Sequence, residues 1–270
     1  MVFALLPPRV DIPPRPPPPP RSTLPVDAEL SSGEVNFLFW FMQGSIMDVE
    51  VRWALRKSWG LCPRHTAAWL MVEAAFRDDY LHGPAVLFDD LMERACAAFD
   101  VRGPGTGLRL ARRLRPRAAC HLCAMGVNEK SQGFIPGDRL VTGRDPTAWR
   151  RFAEESRDFW STEVCGPCSG SASAKRCRAH LCADLTHGRG PDIDACRQDV
   201  LRIARHMSVY HNSFSWDFKD IDGVEDRAAL ISAAGWCSGW QGLLALLDTH
   251  TRSKPAENFR STLTTPRRSP

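Results

Sequence analysis

Eight cysteine and histidine residues fall into four pairs with two residues between the members: Cys62/His65, Cys120/Cys123, Cys165/Cys168 and Cys177/His180. Thiolate and imidazole are the ligands that zinc takes, and this gap lets both members of a pair reach one ion. A CxxC sits on a tight knuckle, whereas a CxxH at a helix start puts both side chains on one face, a turn apart. Two such halves complete a tetrahedron. The helix N-terminus adds positive potential that favours the thiolate of Cys62 or Cys177.

The compact group is Cys165, Cys168, Cys177 and His180, whose halves are separated by an eight-residue Gly/Ser-rich loop. The spacing predicts a structural zinc site there. Cys62, His65, Cys120 and Cys123 would make a second one, closing roughly 60 residues of chain. An alternative joins Cys120/Cys123 to Cys165/Cys168 as an all-cysteine site and leaves Cys177/His180 to meet Cys62/His65; spacing leaves both open. Either way one or two Zn²⁺ ions are expected, each with four protein ligands and no place for a reacting water, which favours structure over hydrolysis. His121 and Cys182 are spare ligands.

CHLC and CGPC also match a redox dithiol, but that chemistry needs a βαβ context, which the sequence does not display. In a thiol-dependent or small-molecule enzyme, Cys123 or Cys165 would be the nucleophile. P-loop, dinucleotide, hydrolase and HExxH signatures are absent, and Asp217 to Asp226 fails the calcium-loop spacing. The basic segment Arg109 to Arg117 raises nucleic-acid binding beside a zinc knuckle. It holds no aromatic residue, and 31 acidic residues nearly balance 35 basic ones, so a nucleic-acid module is the less favoured reading.

The elements that must position these ligands are helical. Ser31 and Glu34 fit a capping box ahead of the aromatic run Phe37 to Phe41, which should be core. Asp48 caps a second helix that stops at Gly60. Trp69, Val72, Phe76 and Tyr80 form a stripe on a helix opened by Cys62, and Leu87, Leu91, Ala95 and Phe99 form another, so the two should pair as an antiparallel hairpin. A polar loop is expected from about Asn128 to Asp145, then a helix holding Trp149, Phe152, Phe159 and Trp160. The most regular stripe is Ile193, Cys196, Val200, Ile203, Met207 and Tyr210, which makes Cys196 a core residue and not a ligand. Phe214, Trp216 and Phe218 alternate on a loop, and two helical segments, 224–234 and 236–247, surround Gly235 to Trp240. No strand pattern is visible.

With 270 residues, 43% hydrophobic and 24% charged, the chain has an ordinary globular composition, and its net charge of +4 is mild. The proline-rich residues 1–27 and the basic residues 251–270 are expected to be disordered tails around a single domain spanning 28–250. The opening MVFALLPPRV does not read as a secretory signal, and no apolar run reaches the length that spans a bilayer, so the cytoplasm is the expected compartment. There, ten cysteines hold metal more readily than they form disulfides.

The segments Ser58 to His65 (SWGLCPRH), Cys120 to Cys123 (CHLC) and Ala234 to Trp240 (AGWCSGW) resemble an uncharacterised bacterial family of helical cysteine-rich proteins with CxxC and GLCxxH pairs. The similarity covers roughly residues 33–248. It implies an all-helical cytoplasmic protein in which Cys62, His65, Cys120 and Cys123 pair, and it implies no activity. This chain lacks the CxxC that a first unit would carry near Asn36 to Phe39. The sequence therefore predicts an all-α, irregular helical bundle with Cys/His zinc knuckles at helix ends, noncatalytic and acting through a protein partner.

Overall fold

The computed structural model describes residues 29–78, 80–219 and 221–248; both expected tails lie outside them. The α-helices in chain order are α1 Ser32–Met42, α2 Val49–Ser58, α3 Pro63–Arg77, α4 His82–Phe99, α5 Thr106–Leu114, α6 His121–Ala124 and α7 Gly137–Gly143. There follow α8 Thr147–Glu155, α9 Arg157–Trp160, α10 Gly166–Ser169, α11 Arg178–Thr186, α12 Ile193–Asn212, α13 Val224–Ser238 and α14 Gln241–Asp248. Among the described residues there is no strand, so the chain is all-α.

Local chemistry starts the helices. At α1, Ser31 Oγ accepts the Glu34 N–H at 3.1 Å and Glu34 Oε2 accepts the Ser31 N–H at 2.8 Å, a complete capping box. Asp48 caps α2 through the Glu50 and Val51 amides, and Asp192 caps α12 through that of Ala195. Trp59 closes α2 in the left-handed region at φ 64°, with Gly60 following at 86°. Trp59 is wholly buried, so packing on the core offsets a conformation that an aromatic residue rarely adopts.

One connected core runs from Leu30 to Leu243 and is built around Trp59, Trp69, Trp149, Trp240, Phe41 and Phe88. The long helix α12 lays its buried Val200, Ile203, Met207 and Tyr210 along α4 and α13. By contrast, α3 packs on α1, α7, α8 and α14.

Several expectations change. The α3–α4 hairpin does not form: α4 is tied to α3 only at its first turn, where Glu73 Oε1 accepts the Gly83 N–H at 3.0 Å, and it then gives its stripe to α12. Within the aromatic run of α1, Leu38 and Phe41 are buried but Trp40 is 59% exposed, because one face of a helix cannot hold five consecutive residues. The expected loop 128–145 contains α7 and is braced by the Gly33 N–H on Ser131 O. Of the three alternating aromatics, Phe214 packs on Tyr80 and Tyr210, whereas Trp216 is 91% exposed. Finally, α13 runs unbroken through Gly235 and stops at Gly239. A side chain at Gly235 would collide with the Trp240 indole, so this glycine provides clearance and does not break the helix.

Candidate metal centres

Two groups of four ligand atoms converge, Cys62, His65, Cys120 and Cys123 in a first centre and Cys165, Cys168, Cys177 and His180 in a second. Both are assembled from the same two parts. Cys62 caps α3 and Cys177 caps α11, with near-identical backbones (φ −70°, ψ 167° and φ −70°, ψ 164°), and each sets a histidine one turn along the helix. Cys120 and Cys165 precede the single-turn helices α6 and α10, which carry Cys123 and Cys168. Each CxxC faces a CxxH, and the all-cysteine pairing is not formed. His121 lies beside the Phe37 ring and Cys182 Sγ donates to Ala111 O, so neither spare ligand joins a centre.

The spacing inside each centre is that of a tetrahedron around an ion. With Zn–S near 2.3 Å and Zn–N near 2.0–2.1 Å, a tetrahedral site has S···S edges of about 3.8 Å and S···N edges of about 3.6 Å. Cys62 and Cys123 sulfurs are 3.8 Å apart, as are those of Cys168 and Cys177. His65 Nδ1 lies 3.3, 3.5 and 3.4 Å from the sulfurs of Cys62, Cys120 and Cys123. His180 Nδ1 lies 3.3, 3.4 and 3.2 Å from those of Cys165, Cys168 and Cys177. These separations far exceed a disulfide bond of about 2.05 Å, and all ten cysteines are free.

Charge follows from this crowding. Hydrogen bonds from Cys168 and Cys177 lower the Cys165 thiol to about 2, while Cys177 is pushed up to about 11 and Cys168 higher still by their bonds to Cys165. In the first centre, Cys123 and Cys62 pull Cys120 far below the ordinary thiol value, and Cys62 is raised by the same neighbours. Three thiols crowded this closely repel one another as thiolates unless a counter-charge stands among them. A divalent cation at the middle would let all three ionise, so the donor set fits a metal. In the second centre, backbone amides already serve the sulfurs: Cys168 and Cys177 N–H to Cys165, His180 N–H to Cys177 and Trp240 N–H to Cys168.

Behind the first centre stands Glu34, which is fully buried. Its carboxylate takes Arg64 Nε at 2.7 Å and an Arg64 terminal nitrogen at 2.9 Å, besides the Ser31 amide. His65 Nε2 is buried 3.5 Å from Glu34 Oε1, at the long limit of a hydrogen bond, with no closer partner among the described residues. With Nδ1 facing the sulfurs, the His65 proton belongs on Nε2, pointing at a carboxylate that fixes ring and tautomer. Burial pushes the Glu34 carboxyl up, but bonds from His65, Arg64 and Ser31 outweigh it and hold it at about 2. For His65, burial lowers the pKa, and Cys120, Cys123 and Glu34 more than reverse this, to about 11.

The turn between α13 and α14 links the centres. Trp240 reaches Cys168, and Ser238 Oγ lies 2.9 Å from Thr66 Oγ on α3. Arg178, next to Cys177, donates to Cys237 O at 2.9 Å, and Gly242 has no room for a side chain against the Pro63 carbonyl. The sequence marked Gly235 and Gly239 but gave no sign of Gly242 against Pro63; the capping box exposed Glu34 but not its second duty toward His65. Both depend on helices distant in sequence. The chain matches no family model, no curated protein and no solved structure with which it was compared.

Proposed function

We propose that both centres are closed structural zinc sites and that the protein is a noncatalytic helical scaffold working through surfaces it presents to partners. The observation that carries this is the repeated four-ligand geometry, with protein atoms at every corner, S···S edges of 3.8 Å and S···N edges of 3.2–3.5 Å, close to those of a tetrahedral zinc site. Each site ties a short knuckle to the first turn of a longer helix, and site formation of this kind is worth about 10–16 kcal/mol of apparent binding energy in small zinc domains. The free state of all ten cysteines fits a reducing compartment such as the cytoplasm. Among the described residues no helix is long and apolar enough to cross a membrane.

The setting of the two candidate nucleophiles weighs against the enzyme reading. Cys165 is buried and Cys123, though exposed, already faces the sulfur of Cys62. Trp216, Phe218, Ile221 and Val224 form an exposed apolar segment, which suits a protein partner. Elemental analysis of protein purified without added metal is the test. Two zinc ions per chain and loss of helical signal on chelation are expected; a metal-free protein with full helicity would refute the proposal.

A further inference from the structure

The region where α2, α4 and the segment leading to α6 meet is built from cations and donors. Arg94 of α4 stacks its guanidinium 3.8 Å over the Trp59 ring and donates to Arg56 O. Among the described residues it has no carboxylate partner. Burial, and then repulsion from Arg56, Arg117 and Arg178, outweigh the opposing effect of Cys237 and lower it to about 10. Arg56 is paired with Asp90 at 2.5 Å, and among the described residues neither Arg94 nor Arg117 has a carboxylate at ion-pair distance. Even the indole N–H of buried Trp59 lacks an acceptor.

Two surface groups extend this cluster. The Arg117 N–H donates to Lys57 O at 2.9 Å, which joins the 115–117 segment to the last turn of α2. Lys57 in turn lies 5.5 Å from the ring of Trp53, which is 58% exposed. The first metal centre begins three residues beyond Arg117, and α6 packs on α2. Not every arginine of the basic segment belongs here: Arg109 and Arg113 turn back onto the carbonyls of Arg102, Pro104, Ala97 and Asp100 near the end of α4.

We propose that this surface, formed by Lys57, Arg94 and Arg117 beside Trp53, binds a single-stranded nucleic acid. Lys57, Arg94 and Arg117 are near one another with no carboxylate ion-paired to any of them among the described residues, which suits phosphate oxygens, and an exposed tryptophan flanked by a lysine offers a base a stacking platform. An isolated phosphate would have no use for the indole, whereas a polynucleotide places a base beside each phosphate, so the pairing of charge with an aromatic matches both parts of a nucleotide. The surface is separate from the apolar 216–224 segment and does not depend on which metal fills the centres.

The test is fluorescence anisotropy of the full chain with a labelled single-stranded oligonucleotide over a range of salt. Three phosphate contacts predict a slope of log K against log salt near about −2, at roughly −0.7 per contact. The double variant Lys57→Gln/Arg117→Gln, both positions exposed, should reduce the slope to about −0.7 and leave helicity unchanged. Trp53→Ala should weaken binding about tenfold at every salt concentration. No salt-dependent binding by the wild type, or a salt slope left unchanged in the double variant, overturns the proposal. If a phosphoserine peptide or phosphatidylserine vesicles bind as tightly and Trp53→Ala has no effect, the surface is a general anion site and the nucleic-acid assignment fails.

Discussion

If Glu34 is replaced by glutamine, the first centre should weaken while the second stays as it is. The carboxylate holds the Arg64 fork at 2.7 and 2.9 Å, the Ser31 amide at 2.8 Å, and His65 Nε2 at 3.5 Å. Glutamine keeps one acceptor, turns an amide toward Arg64, and leaves that guanidinium, only 10% exposed, short of its counter-charge. Stranding a buried charge costs about 3–5 kcal/mol of stability. Losing the carboxylate behind a metal-bound histidine costs about tenfold to a hundredfold in affinity, or about 1.4–2.7 kcal/mol. Among the described residues no carboxylate is bonded to the histidine of the second centre, and Arg178 beside Cys177 donates to the carbonyls of Cys237 and Leu114. A colorimetric chelator titrated against zinc-loaded protein should therefore resolve two classes of site in Glu34→Gln, one weakened by the stated factor and one at its wild-type affinity. Unchanged affinity at both sites would refute the role given to Glu34, and equal weakening of both would show a global loss of fold in its place.

Glu73, buried between Trp69 and the Gly83 amide, is raised by burial to about 7 from 4.5 despite the hydrogen bonds from Gly83 and Trp69 and the charge of Arg77. A carboxyl raised on folding contributes stability that is complete below pH 4.5 and is lost as pH rises through 7. The difference in unfolding free energy between wild type and Glu73→Gln should therefore shift by about 3 kcal/mol across that window, with wild type losing, and a flat difference refutes it. Gly235→Ala drives a methyl group into the Trp240 ring, so it should cost about 1–3 kcal/mol in urea unfolding and speed zinc loss from the second centre, whose Cys168 sulfur takes the Trp240 amide. Alkylation of the native, zinc-loaded protein should leave the six cysteines of the two centres unmodified until chelator is added; rapid labelling of Cys123 before that point would favour the thiol-enzyme reading. Cys196→Ala should leave metal content unchanged, since Cys196 belongs to no centre and its thiol is raised to about 11, chiefly by burial.

The helical class and the Cys/His pairs from which the two candidate centres are built were legible in the sequence because their causes are local. Capping residues act over three positions, apolar stripes recur every three or four, and a CxxH or CxxC can face one ion wherever the chain takes it. What the spacing of Cys62/His65 and Cys120/Cys123 left open was which half meets which, since a join across 61 positions depends on the packing of α2 on α6 and of α1 on α3. The same limit hid the two duties of Glu34, a capping residue by its neighbours and a support for His65 only once α1 lies on α3. It made Gly235 look like a helix end, although the glycine exists for a ring five residues later that folds back over it. It also placed the basic segment apart from any aromatic, whereas tertiary contact brings Arg117 to the Lys57 turn beside Trp53 and takes Arg109 and Arg113 away to α4. Residue types and short intervals determine which chemistry this chain can do; burial and contacts between distant helices decide which groups share a site.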